Sequence, residues 1–536
     1  MTTKRHPAIG TSDMAAIEVA LAKGASRRDL MRWLGAAGMS AATAGAMIGD
    51  AKRALAQTPK RGGRIKVASQ TSSTADTVDP AKQNNQTDYT RCFTFYNGLT
   101  RLDASLTPRL ELAEAIENDG ATVWTIKLRR DIKFHDGAPL TADDVVYSLA
   151  RHKDPATGSA AKALAAPMKE ITASGKHEVK ITLESPNADL PVVLGTPHFL
   201  IIKNGTSSFT TAIGTGPYRC QEFQPGIKSI AVRNTDYFKP GQPYLDEIEL
   251  FGIPDHTARL NALLSGDVQI AAAMSPQLAR RVLATPGFSV FETKAGTYND
   301  LVIRQDSDLG RNQDLVLAFK YLLNREQMKS AVFQGYAVLA NDQPIDPTNR
   351  FYFPGLKQRP YDPEKAKFHL QRSGLANTTI PLHAMASSTM LDQAVLIQQA
   401  AQQVGLNVDV KRMPADGYWS NVWMKQPLTM GSINPRPSAD VLFTLFFKSD
   451  STWNESAWKN EKFDQLLVAA RGETDEAKRK QMYGEMQALV HEHSGIGLPV
   501  FMSILDAHTA RLKGLKAIPT GGLMGYAYAE NVWLEG

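Results

Sequence analysis

Phe134-His135-Asp136-Gly137 sets an imidazole beside a carboxylate, the pairing that acid-base chemistry or metal binding would use. A local reading accounts for the same residues. A strand ends at Phe134, Asp136-Gly137 makes a turn, and Thr141 caps a helix beginning near Ala142. Gly214-Thr215-Gly216-Pro217-Tyr218-Arg219 resembles a dinucleotide loop only in outline. It lacks the third Gly, and Pro217 removes a backbone donor, so a turn feeding a strand is expected. His491-Glu492-His493 places two imidazoles at i and i+2, on different sides of a helix, and not at the zinc spacing His-Glu-x-x-His. The chain has no Gly-x-Ser-x-Gly elbow and no phosphate loop ending in Gly-Lys-Ser/Thr. Its two cysteines, Cys92 and Cys220, could bridge in an oxidising compartment but cannot make a four-Cys zinc site. Tyr418, Trp419 and Trp423 form an aromatic cluster that reads either as core or as the apolar wall of a ligand cleft. No catalytic residue, metal or cofactor is expected.

The elements that would position these residues alternate in type. Trp124, Ile126 and Leu128 have period two, as do Val179, Ile181, Leu183 and Leu406, Val408, Val410. That is the half-buried strand pattern. Asp362-Pro363-Glu364 reads as a helix start and Gly374 as its stop. A helix from about Leu391 to Val404 runs into the Leu406 strand. Another opens at Thr474-Asp475-Glu476, with Met482, Met486, Leu489 and Val490 as its expected buried stripe. Interleaved helices and strands predict an α/β or α+β architecture.

The N-terminus reads as an address. Arg27-Arg28 precedes a weakly apolar, Ala/Gly-rich stretch from Trp33 to Gly49, then Ala54-Leu55-Ala56. This is the order of a removable export signal, and the paired arginines mark the twin-arginine route. Residues 1–56 are therefore expected to be removed near Ala56, leaving a 480-residue periplasmic protein. The full chain of 536 residues carries a formal charge of +6, and eight basic against four acidic residues of that excess lie in 1–56. The remainder, near +2, argues against a nucleic-acid partner.

Several motifs occur in one order along the chain. They are Gly62-Gly63-Arg64-Ile65, Val78-Asp79-Pro80, Tyr96-Asn97-Gly98-Leu99, Trp124 through Ser148, Gly214-Thr215-Gly216-Pro217-Tyr218, Arg233-Asn234-Thr235-Asp236-Tyr237, Leu245-Asp246-Glu247-Ile248, Leu264-Ser265-Gly266-Asp267, Tyr361-Asp362-Pro363-Glu364 and Phe463-Asp464-Gln465-Leu466. In this order the chain resembles the solute-binding proteins of peptide-type ABC importers, the dipeptide, oligopeptide and nickel group. The resemblance implies a two-lobed periplasmic-binding-protein fold with an extra insert domain and a hinged cleft. It implies one lobe from 57–104, 214–305 and 497–536, an insert at 105–213, and a second lobe at 306–496. It also implies a monomeric receptor that captures a peptide or other small polar solute and hands it to a permease and its ATPase. The alternatives are an extracytoplasmic peptide hydrolase, or the same fold holding a nickel chelate, an opine or another anionic solute.

Peptide binders of this group hold the ligand's ammonium with an Asp a few residues before a Pro. The corresponding stretch here, Met430 through Asp440, carries Arg436 near that place, with Asn434 and Asp440 as its other polar candidates. An Arg there would favour a carboxylate or phosphate. Arg436 and Asp440 could equally pair with each other. Asn84 and Gln86 are expected on the opposite ligand wall, with Tyr418 and Trp419 as aromatic candidates.

Overall fold

The computed structural model describes residues 26–36, 44, 58–386 and 389–535. Most of the expected export segment, including the expected cleavage site near Ala56, lies outside them. The twin arginines open a short helix, Arg27–Ala36, and no described helix is long and apolar enough to cross a membrane.

The architecture is mixed α/β, as the alternating patterns predicted. One sheet of eleven strands runs through most of the chain. Its order is Asn407–Met413, Thr379–Met385, Leu428–Ile433, Phe288–Ile303, Ile496–Thr509, Ile270–Ala271, Arg64–Ser69, Glu247–Gly252, Lys228–Arg233 and Tyr218–Gln224, with Ala337–Leu339 added onto Ile496–Thr509. Successive residues of a strand face opposite ways, and the cores follow that rule. Val67 packs with Phe95, Tyr96, Ile248 and Tyr528, while Ala68 packs on the other side with Leu260, Leu263 and Leu505. At the far end Leu301 joins Phe319, Leu382 and Ile397, whereas Val302 joins Phe443, Phe463 and Tyr483.

The two long central strands, Phe288–Ile303 and Ile496–Thr509, are antiparallel and paired along most of their length. The register shifts between Lys294 and Thr297. Beside that bulge Gly296 sits tight against Asp346, where an added Cβ would come within 2.7 Å of a carboxylate oxygen. Bulges bend the strand that carries them, so the sheet turns where it passes from one set of cores to the other.

A separate antiparallel sheet has the order Ala113–Asp119, Val123–Leu128, Glu178–Leu183, Met168–Gly175. Trp124, Ile126 and Leu128 point into its core with Val179, Ile181 and Leu183, the period-two faces seen in the sequence. Leu99 also packs in this core, while Leu200, Ile202 and Ala212 pack with Val67 and Tyr96.

Helix starts and stops follow the capping chemistry. Asp362 accepts a bond from Lys365 N at 3.0 Å, and the helix Pro363–Ser373 ends at Gly374 with φ 73°. Before the helix Ala142–Ala150, Thr141 stands at the expected N-cap and forms a capping box with Asp144. The Asp144 carboxylate accepts from both the N–H and the hydroxyl of Thr141, at 2.8 and 2.9 Å. The helix Glu476–His493 is rotated from the expected stripe. Tyr483, Met486, Gln487 and Val490 are buried, and Met482 and Leu489 pack only at the core's edge. Gln487 turns inward because its amide serves the chain at Phe351 and Phe353.

Two motifs singled out above meet each other. Gly214 N–H donates to His135 Nδ1 at 3.2 Å, and His135 Nε2 bonds Gly216 O at 3.0 Å. A Cβ on Gly214 or Gly216 would strike the backbone of Phe95 within 2.5 Å, so this glycine pair is fixed by close approach. One ring nitrogen accepts and the other donates, which requires neutral His135. Burial drives its pKa down to about 4. The unfolded value is near 6.5, so this bond stabilises the fold above about pH 6.5 and is lost as pH falls toward 4. The difference in melting temperature between the wild type and His135→Gln should therefore shrink from pH 7.5 to pH 4.5. A constant difference across scans at the two pH values would contradict it.

Candidate functional site

Two adjoining cavities open between the helix Gln86–Phe95, the segment 518–527, and the segment that links Leu428–Ile433 to the helix Ala439–Phe446. Asn84, Tyr89, Pro435, Arg436, Thr520 and Tyr526 line both. The first, about 520 Å³, is walled largely by Leu164, Val441, Leu445, Trp453, Ile518 and Met524. The second, about 820 Å³, is lined by amides and hydroxyls that include Gln70, Asn85, Gln86, Thr297, Thr389 and Asn434.

The wall at Asn84 is built by helix capping. Asn85 accepts from Asp88 N at 3.0 Å and donates to Asn84 Oδ1 at 3.2 Å, which holds both amides at the helix mouth. Gln70 Nε2 donates to Gln86 Oε1 at 3.3 Å. Gln86 Nε2 is left buried without a partner, as is Gln83 Oε1 beside the first cavity. Unsatisfied buried groups of this kind are uncommon and costly, and a ligand can satisfy them. Tyr89 stands one helical turn after Gln86. Its ring meets Tyr526 at 5.1 Å and His198 edge-on at 5.5 Å between centroids.

Tyr526 comes from a backbone that few residues adopt. Leu523, Met524 and Tyr526 have φ of 52°, 59° and 76°. Each such non-glycine residue costs about 1–3 kcal/mol, so something must hold the turn. Asp506 does so. Its carboxylate accepts from Leu523 N at 2.7 Å and from Ala273 N at 3.0 Å, in full burial.

Arg436 occupies the facing wall. It lies over the Phe446 ring at 5.3 Å and donates to the carbonyls of Asn434 and Pro435 at 3.1 and 3.3 Å. The Phe446 ring in turn stacks on Trp453 at 5.9 Å. Among the described residues no carboxylate forms an ion pair with Arg436. Burial lowers its pKa, so the guanidinium is a cation short of both water and counter-charge.

The Arg436–Asp440 pairing that the sequence left open is not the one formed. Asp440 turns inward, 5% exposed, and takes Arg471 Nε at 3.1 and 3.2 Å. It lines neither cavity. Burial still pushes its carboxyl up to about 6. Tyr418 is fully buried and donates to Met430 O at 2.6 Å and His383 O at 3.1 Å. Trp419 is 43% exposed and packs edge-on against Trp423 at 5.5 Å. Neither lines the two cavities; the aromatic stripe braces the strand Leu428–Ile433 from behind. Trp423 Nε1 donates to Glu455 Oε2 at 2.8 Å. That carboxyl and Asp300 both lie close to Gly431, and desolvation raises the pKa of each. Asn84, Gln86, Asn434 and Arg436 are the sequence candidates that the fold brings together. Cys92 and Cys220 are free thiols.

Sequence reasoning missed Tyr89, His198, Trp453, Met524 and Tyr526. Tyr89 was within reach, since i+3 from Gln86 shares its helix face. The segment 518–527 carries no motif and arrives only through the return of the chain.

A profile of the bacterial extracellular solute-binding proteins, family 5 Middle, matches residues 107–455. The chain is 26% identical over 467 residues to the glutathione-binding protein GsiB of Escherichia coli K12, covering 83% of this chain and 91% of that one. Among solved structures it is similar to the periplasmic binding protein DppA of Helicobacter pylori in complex with the peptide STSA, with TM-score 0.72, 22% identity and 89% and 99% coverage. It is also similar to HbpA2 of Haemophilus parasuis, with TM-score 0.78, 21% identity and 88% and 100% coverage.

Removing Arg471 would strand Asp440 in a buried place. Arg471→Ala should lower unfolding stability by about 3 kcal/mol in denaturant titrations, and Arg471→Ala with Asp440→Leu should restore part of it. Equal loss in the single and double variants would refute the pairing as the cause.

Proposed function

The chain belongs to the bacterial extracellular solute-binding proteins of family 5, and from that premise we propose that it is an exported receptor delivering a small solute to an ABC importer. The proposal includes export by the twin-arginine route, removal of 1–56, and action as a monomer beside a permease and ATPase. The observation that carries the binding reading is the pair of cavities at the middle of the eleven-stranded sheet, walled by residues of Phe288–Ile303 and Ile496–Thr509 and by the segments that follow Arg64–Ser69 and Leu428–Ile433. A cleft of several hundred Å³ between two bodies is the usual form of a small-molecule site.

The proposal includes two lobes, 57–104 with 214–305 and 497–536, and 306–496, beside an insert at 105–213, the lobes closing on the ligand. The core around Ala68 and Leu260 and the cores around Phe319 and Phe443 are joined by the strands Phe288–Ile303 and Ile496–Thr509, and their bulge is a natural hinge. Closing would bring Tyr89 and Arg436 onto opposite sides of one ligand. The orphaned atoms Gln86 Nε2 and Gln83 Oε1 would gain partners. The glutathione of GsiB and the peptide of DppA both fit the class of small, polar, carboxylate-bearing solutes. Asn84, Gln86, Asn434 and Arg436 are the ligand contacts we assign; Asp440, Tyr418 and Trp419 support the wall from behind.

Native mass spectrometry of the purified protein should show one small molecule per chain, and that molecule should raise the melting temperature on addition. Arg436→Ala should weaken an anionic ligand about 10- to 100-fold, the range of a charge-assisted hydrogen bond, and leave a cationic one unharmed. Equal loss for both would show that Arg436 acts on the fold and not on the solute.

A further inference from the structure

Resting on the receptor reading above, we propose that the occupant is an amphipathic anion: a carboxylate held at Arg436, an apolar body in the chamber of Leu164, Leu445, Trp453, Ile518 and Met524, and no free ammonium.

The charge argument comes first. Neither cavity is lined by an Asp or Glu side chain. An ammonium brought into this cleft would lose water and find no counter-charge, which is strongly unfavourable. The lining cations other than Arg436 are accounted for. Arg101 carries Glu111 at 2.6 Å and Glu530 at 2.5 Å. His198 Nε2 bonds Gln83 O at 3.0 Å, and His256 Nδ1 accepts from Arg259 Nη2 at 3.0 Å. Burial lowers the pKa of both imidazoles and keeps them neutral. Arg436 is the remaining charge, held in place by two backbone carbonyls and the Phe446 face.

Asp346 is the rival acceptor for an ammonium. It shares with Arg436 a crevice of about 10 Å³, too narrow for a solute. Its carboxylate already accepts from Thr348 N at 2.9 Å and from the Thr348 hydroxyl, and it is 6% exposed. It also packs close against Gly296 and lines neither of the two larger cavities.

The second argument is shape. The first chamber, about 520 Å³, has a mostly hydrocarbon wall, while the amides and hydroxyls gather in the second. Arg436 and Tyr89 line both and so mark the neck. A solute that is polar throughout would leave the first chamber's wall unmatched. One with an apolar body gains about 25 cal/mol for each Å² it hides there. Gln83 Oε1, buried beside that chamber without a donor, can take one N–H from the ligand, as a secondary amide would offer.

Four probes separate these terms by titration calorimetry on the purified protein. N-octanoylglycine has the body and the carboxylate; N-octanoylglycinamide keeps the body without charge; glycine octylamide carries an ammonium; N-acetylglycine has the carboxylate without the body. N-octanoylglycine should bind about tenfold or more tighter than each of the other three. In Arg436→Gln its advantage over N-octanoylglycinamide should vanish, and in Leu445→Asp its advantage over N-acetylglycine should vanish. The wild-type ranking stands as a test even if a variant fails to fold. Glycine octylamide or N-acetylglycine binding as tightly as N-octanoylglycine overturns the inference. Rejection of all four while glutathione or dialanine binds also overturns it and leaves the receptor reading intact. Rejection of these and of a sugar and metal-chelate panel, by a protein that emerges ligand-free in native mass spectrometry, overturns both.

Discussion

The main-chain pairing of Phe288–Ile303 with Ile496–Thr509 is the constraint on which the molecule hangs. Each strand crosses from one group of cores to the other, and each carries groups that build a wall of the cleft. On one side Asp506 reaches from the second strand and holds the left-handed turn that presents Met524 and Tyr526. On the other, Asn299 donates to Thr389 and Gln393, and Asp300 lies beneath Gly431 in the strand that leads to Arg436. Both walls are thus referenced to one ladder. The bulge beside Gly296 is the place where that ladder can bend without breaking.

Several buried charges are paired, while Arg259 and Lys320 are met by backbone carbonyls and Asp506 by backbone N–H groups. Arg101, Lys239, Glu111 and Glu530 form a compact quartet that sums to zero and ties the chain's return to the 97–111 region. Asp342 receives Arg325 and Arg359, and Asp189 receives Arg350 and Arg479. Asp189 lies in the stretch beside the four-stranded sheet, so that pair fastens it to the Glu476–His493 helix. Buried pairs of this kind add little net stability, but breaking one is costly, so they fix geometry. Among the described residues Arg436, like Arg259 and Lys320, is met by main-chain carbonyls and not by a carboxylate, but unlike them it lines both cavities.

The local elements were legible because their signals are local. Period two gave the strands around Trp124, Val179 and Val408, and Asp362 with Gly374 gave a complete helix. Met486 and Val490 of the expected stripe are buried, while Met482 and Leu489 lie at the edge because a polar residue, Gln487, had a buried backbone to serve, and hydrophobic pattern alone cannot register that. Four of the site candidates, Asn84, Gln86, Asn434 and Arg436, line the second cavity. Tyr418 satisfied its hydroxyl on backbone carbonyls and so became core.

What the sequence determined by itself was the set of elements, the family through the order of its motifs, and a stretch from Met430 to Asp440 with Arg436 and Asp440 as its charged residues. Those depend on residue type and spacing along one chain. What the tertiary structure decided was the company each charge keeps. Asp440 stands four residues from Arg436 but is claimed by Arg471, thirty-one residues further on. Tyr89 and Tyr526 touch across nearly the whole chain. Electrostatic and packing partners act over a few Å of space, and only the folded sheet sets which residues lie within that distance.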